Sequence, residues 1–436
     1  SKIFIIWFKY TDRVEQKRIN KYLNTLLLIF STSILFSQSG SLSPYSFFGV
    51  GDNTFKGTIE NRSMGGLSVY SDSIHLNLTN PAAFSELKYV NYSVGVDYNN
   101  FKLKTDNSNE KATTANMNYL AVAIPTKKLV FGFGIMPKSS VGYLLQSTDN
   151  STEPKQVNRY EGNGGVNTAF LTFGFKFLKK LKLGISANYE FGNLEHSNSR
   201  YLDEISLYTK LVSNSSLSGI NFKYSVLLRE KIFNNLTLHA SYILRPSSEL
   251  TSQNTQILST NTVNDTFGGD SQEIDLEALN LAETIIDLPS INTIGFGLGI
   301  ETKWFVGIDF TKSGGGAYEN KLLNLQNVQY KEGSKLSLGG YYIPDYDSFT
   351  SYLSRIVYRF GLRFEKTGLV VQNEPIDEYG INIGLGFPFL GYQNVNIGFE
   401  FGSRGTKNAG LVKENFYSVR LGLTLNDHWF VKNKYN

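Results

Sequence analysis

Residues 181–192 read LKLGISANYEFG. Side chains of an extended chain alternate between two faces. Leu181, Leu183, Ile185, Ala187, Tyr189 and Phe191 therefore share one face, and Lys182, Gly184, Ser186, Asn188, Glu190 and Gly192 share the other. The first face suits lipid and the second suits water. The same period of two returns in Leu129-Phe131-Phe133-Ile135, Trp304-Val306-Ile308-Phe310, Ile381-Ile383-Leu385-Phe387, Val395-Ile397-Phe399-Phe401 and Val419-Leu421-Leu423-Leu425, and a period of two means strand. A soluble β-sandwich also alternates, but its polar face is rich in Thr, Lys and Glu. Here Gly occupies much of that face, as the crowded inside of a barrel requires.

Working outward, the pattern places strands at about 89–104, 113–125, 128–145, 160–177, 181–195, 215–231, 236–250, 290–301, 303–313, 333–344, 353–368, 378–388, 393–404 and 415–425, fourteen in all. Short joints alternate with long polar ones at 146–159, 196–214, 251–289 and 312–332. That is the rhythm of an outer-membrane barrel, with the short turns on the periplasmic side. The expectation is an all-β membrane protein: a closed antiparallel transmembrane barrel of about 14 strands, its two ends in the periplasm of a Gram-negative cell. One stretch of the longest loop, residues 273–288, reads EIDLEALNLAETIIDL and is expected to be helical, acidic in its first turns as a helix N-terminus favours. It serves either as an apolar cap on the extracellular rim or as a capture surface for a ligand or partner.

Composition agrees. Of 436 residues only 18% are charged, while 40 are Gly, 31 Phe and 26 Tyr. Mean hydropathy is −0.20, which strand alternation explains without solubility. Residues 17–38 carry Lys17, Arg18 and Lys21, an apolar run from Tyr22 to Phe36, and Ser37 before Gln38, the plan of a secretory signal peptide. The residues before it look like an over-extended start or a fragment boundary. Six basic and two acidic residues lie in 1–37, leaving 36 of each sign beyond, so no basic patch for nucleic acid is expected. With no Cys, a disulfide scaffold and thiolate metal sites drop out. The division expected is 1–37 start plus signal peptide, 38–88 an N-terminal plug segment, 89–425 the barrel and 426–436 a periplasmic tail.

Residues 62–87 read RSMGGLSVYSDSIHLNLTNPAAFSEL. The SMGG run containing Gly65 and Gly66, followed by Asn80-Pro81-Ala82, resembles the N-terminal region of the FadL family of outer-membrane transporters for long-chain fatty acids and other hydrophobic compounds. LPSINTIG at residues 288–295 is similar to a Leu-Pro step of that family, and the strand count matches. The resemblance implies a hatch folded into the barrel, gated by Asn80, Pro81, Ala82, Gly65 and Gly66, and a hydrophobic ligand released sideways through the wall into outer-membrane lipid. Pro81 lacks a backbone N–H and interrupts sheet pairing; an ordinary turn into the first strand is the other reading. The SPYSFFGVGD run at residues 43–52 and the ending LGLTLNDHWFVKNKYN look like the Bacteroidota branch, which includes subunits of secretion and assembly machines. The function expected is passive uptake of hydrophobic small molecules; the alternative is a non-transporting subunit of a secretion or barrel-assembly complex, with other outer-membrane proteins as partners.

Catalysis is not expected. His75, His196, His239 and His428 are far apart in sequence, without the paired spacing of a metal site or an evident acid–base partner. Asp265, Asp270 and Asp275 lack ordered Ca²⁺-loop spacing, and Gly314-Gly315-Gly316 lacks a phosphate-binding Lys. No metal or cofactor is expected. Tyr89, Tyr98, Phe101, Tyr341, Tyr342, Tyr358 and Tyr417 are candidates for the aromatic girdles. Arg359, Arg363 and Arg420 alternate with apolar residues, so they face the lumen, holding either a ligand carboxylate or Glu190, Glu365 or Glu400.

Overall fold

The computed structural model describes residues 40–429 except 107, 234, 263–267, 317, 324, 326 and 390. The proposed signal peptide, Asp265 and most of the proposed tail lie outside the described residues. Fourteen strands form the wall: β1 (Val90–Lys104), β2 (Asn109–Pro125), β3 (Leu129–Asp149), β4 (Gln156–Lys176), β5 (Leu181–Leu202), β6 (Leu207–Phe233), β7 (Leu236–Arg245), β8 (Ile291–Ile300), β9 (Trp304–Ser313), β10 (Gly333–Tyr342), β11 (Val357–Val371), β12 (Glu374–Phe389), β13 (Gln393–Arg404) and β14 (Lys413–Asp427). Each pairs antiparallel with the next, and β14 closes on β1 from Lys413↔Lys104 to Asp427↔Val90. This is a closed 14-stranded outer-membrane barrel.

Alternation sets which way the wall faces. Phe296, Val306, Phe310, Phe360, Ile381 and Phe401 are exposed on the outside, forming a lipid-facing belt. Lys182, Ser186, Asn188 and Glu190 of β5 are buried on the inside. Of the girdle candidates, Tyr98, Tyr342, Tyr358 and Tyr417 are exposed, and Tyr89 stacks on Tyr392. Tyr341 and Phe101 depart from that expectation. Tyr341 packs inward against Tyr70 and Phe305, and Phe101 lines an internal cavity beside Asn99, because their register puts them on the luminal face.

Two long loops shorten. The joints expected at 146–159 and 196–214 reduce to the few residues between β3 and β4 and between β5 and β6, and His196, expected to begin a loop, lies within β5. Polar strand ends such as HSNSRYL (196–202) carry the ladder past the apolar belt. The expected helix at 273–288 is not formed. Leu276 to Asn280 make a turn that Asn280 ends at φ +56°, and Glu283–Leu288 is a strand paired with Ser248–Thr262. Thr284, Ile285 and Ile286 are β-branched and favour strand, and burial there alternates, with Ile285 48% exposed and Ile286 0%. Ser248–Thr262 continues the wall by pairing with the upper half of β6.

One joint of the wall is incomplete. β2 and β3 pair only from Leu120↔Ile135 to Pro125↔Val130. Past this point β3 carries an irregularity between Pro137 and Ser139 against β4, and Ser139 to Tyr143 are all buried. A strand with both faces covered has bent inward. Asp52 and Asn53 take the place of β2 there, pairing with Ser140 and Ser139.

Candidate functional site: an ionic lock across the lumen

The described residues before β1 pack against the inner wall in three places. At the first, Gly65 and Gly66 turn with φ +75° and +82°, a conformation that favours glycine. A Cβ on Gly65 would stand 2.6 Å from the Leu362 carbonyl oxygen and 2.8 Å from that of Leu338. The close approach is met by Gly339 and Gly361 on the wall.

At the second, Asn80, Pro81 and Ala82 begin a 3₁₀ turn over Pro81–Glu86, with Asn80 Oδ1 accepting from Ala82 N at 3.1 Å. Ala82 N also donates to Ser225 Oγ of β6 at 2.7 Å. Gly184 lies directly beneath, where a Cβ would meet Ala82 N at 2.2 Å. Glu86 then pairs with Lys182 at 3.0 Å and Arg229 at 2.5 Å. Burial opposes its ionisation, but the two cations prevail and hold the carboxyl below its ordinary range.

The third contact is the ionic one. Arg363 of β11 donates to Glu365 at 2.7 Å, Glu378 at 2.5 Å and Glu400 at 2.6 Å. Glu400, fully buried, also accepts from Arg420 of β14 and from Arg62 Nε at 3.0 Å. Lys56 reaches Glu378 at 2.5 Å. Arg404 holds Asp52 at 2.5 Å and Glu414 at 2.9 Å, and bonds Ser43 Oγ. Arg359 stands apart from these carboxylates and donates to Asn396 Oδ1 at 2.8 Å; Asn396 passes the chain to Glu60 at 2.8 Å. Lys56, Arg62, Asp52 and Ser43 thus tie the N-terminal segment to β11–β14. Sequence reading named Arg363, Arg420 and Glu400 but missed Lys56, Arg62, Glu378 and Arg404. The signal for Glu378 and Arg404 was available, since each is a charge at an inward register position.

Two cavities border the N-terminal segment. One, of about 480 Å³, reaches the incomplete β2–β3 joint and is lined there by Asn116, Asn118, Ser139, Ser140 and Asn193. The other, of about 390 Å³, lies between the N-terminal segment and the wall of β3 to β13. The four His stay apart: His75 bonds Asp72 at 2.6 Å, His196 bonds Tyr143 at 2.7 Å, His239 packs on Phe305 and His428 on Tyr89. Among the described residues no group of His, Asp and Glu could hold a metal ion.

The model of the BamG family matches residues 19–436. The chain belongs to the BamG family. No curated protein matches this BamG-family sequence. Among solved structures, the barrel is similar to the toluene transporter TbuX of Ralstonia pickettii at 13% identity and TM-score 0.55, covering 85% of this chain and 98% of that one. It is similar to the toluene transporter TodX of Pseudomonas putida at 15% identity and TM-score 0.53, with 87% and 99% covered. A FadL homologue of Pseudomonas aeruginosa matches at 12% identity and TM-score 0.54, over 87% and 100%. At such identities the likeness is one of fold, so the FadL resemblance holds for this BamG-family barrel at the level of architecture.

Proposed function

We propose that this barrel serves as a subunit of an outer-membrane secretion or barrel-assembly complex, held shut by its own N-terminal segment. The observation that carries the reading is the ionic lock: Glu400 and Glu378 join the segment to four wall strands, β11 to β14, and the cavity at the β2–β3 joint is lined largely by Asn, Ser and charged groups. An acyl chain gains little from such a lining, because its transfer is driven by apolar contact. The short-turn end, periplasmic in this reading, supports docking. Its longest turn, residues 343–356, presents Phe349 at 102% exposure and Leu353 at 67%. The family match is to BamG and not to the family of the solved transporters, so a transport role does not come with kinship.

A second reading is favoured by the incomplete β2–β3 joint. In it the segment acts as a hatch, with Asn80-Pro81-Ala82 and Gly65-Gly66 as its pivots, and a hydrophobic small molecule leaves sideways into the membrane lipid. Gentle detergent extraction of the native protein, followed by size analysis and mass spectrometry of proteins and lipids, separates the two. The assembly reading expects a stoichiometric complex with other outer-membrane proteins. A lone barrel carrying an apolar molecule would overturn it in favour of uptake.

A further inference from the structure

β6 and β7 pair as far as Tyr224 opposite Leu244, and the next residue of each strand, Lys223 and Arg245, stands just past the end of that ladder. Both line the cavity of about 390 Å³. Like charges on adjacent strands repel one another. Several other cations of this lumen are answered by carboxylates: Lys56 by Glu378, Arg363 by three, Arg404 by Asp52 and Glu414. Among the described residues, Lys223 and Arg245 have no carboxylate within 4 Å. Glu190, which lines the same cavity, is already engaged by Lys138 and by Asn221 Nδ2 at 2.5 Å. Arg245 donates one bond, from Nη2 to the Pro289 carbonyl at 3.2 Å, and its Nε is buried without an acceptor. The rest of the lining adds neutral hydrogen-bonding groups, Asn188, Thr293 and Thr311, a third cation, Lys335, and the carboxylates of Asp309 and Glu365.

We propose that this cavity is a binding site for a small water-soluble oxyanion, a phosphate or a carboxylate, seated between Lys223 and Arg245. The anion supplies the counter-charge that this pair lacks and accepts the hydrogen bonds these two side chains leave unmade. The site is independent of whether the barrel assembles with partners or conducts a ligand. It differs from a site for an apolar molecule in asking for charge and donors.

The test uses the folded full chain in detergent, with thermal unfolding measured in chloride, inorganic phosphate and succinate at equal ionic strength. A ligand of the native state raises the midpoint. Phosphate or succinate is expected to raise it by several degrees over chloride, and whichever does so identifies the oxyanion class. The K223Q/R245Q variant is expected to lose this response while unfolding in chloride no earlier than the wild type, since a repulsion has been removed. K180Q, at a short turn, retains the response. Equal midpoints in all three salts, or an unchanged phosphate or succinate response in K223Q/R245Q, overturns the site.

Discussion

Glu400 is the residue on which the lumen turns. It is fully buried and accepts from Arg62, Arg363 and Arg420, so its carboxylate answers one cation of the N-terminal segment and two of the wall. Glu400→Gln keeps the shape and removes the charge, leaving three guanidinium groups crowded without their common partner. Breaking a buried ion pair from one side costs about 3 kcal/mol. We expect Glu400→Gln to lower the thermal unfolding midpoint of the detergent-solubilised barrel well below that of Glu365→Gln, whose carboxylate meets Arg363 alone at a half-buried position. Equal midpoints for the two variants would show that Glu400 is not the centre of the network. Sequence reading reached Glu400 because it alternates with Phe399 and Phe401. Arg62 it could not reach, since no period marks an irregular segment and its partner lies more than three hundred residues away.

At the scale of elements, the fourteen strands were legible because each alternates in Leu, Ile, Val, Phe and Tyr, as 181–192 does, and the membrane admits no other pattern for a strand. The inward bend of β3 was not. Ser139, Ser140, Val141, Gly142 and Tyr143 read as continued alternation; what pulls them in is contact with Val50 and Phe47, from another part of the chain. The false helix at 273–288 has the opposite cause. Its apolar residues suit either period, and the β-branched Thr284-Ile285-Ile286 with the pairing offered by Ser248–Thr262 decided for strand. The β2–β3 joint is open to direct test. Paired residues of an antiparallel ladder stand about 5 Å apart, within disulfide reach, and the chain has no Cys of its own. Asn53→Cys with Ser139→Cys should therefore oxidise to a cross-link seen by mass spectrometry after digestion. Thr113→Cys with Gly142→Cys, which would face each other if the β2–β3 ladder continued, should not. The reverse result would mean that the wall is closed there and that residues 52–53 lie elsewhere.

The whole molecule is held from the inside. Pro81–Glu86 grips β5 and β6, Asp52–Asn53 lies along β3, and residues 56–66 are tied to β11–β14. Inner segment and wall therefore share the ion pairs of Glu400, Glu378, Arg404 and Glu86, and neither keeps those alone. We expect one cooperative transition in denaturant: a fluorophore attached at Phe55→Cys should report the same midpoint as far-ultraviolet circular dichroism of the strands. Coincidence of probes is the sign of a single unit, and an earlier transition at residue 55 would mark the inner segment as separately mobile. The open joint in the wall has one more consequence. A strand whose backbone donors and acceptors are unmet is a template on which a stray strand from another chain can zip up, and β3 beyond Ile135 is such a strand. By laying Asp52 and Asn53 along it, the protein withdraws that invitation with two residues of its own, so the barrel can carry an unfinished seam without recruiting strangers to close it.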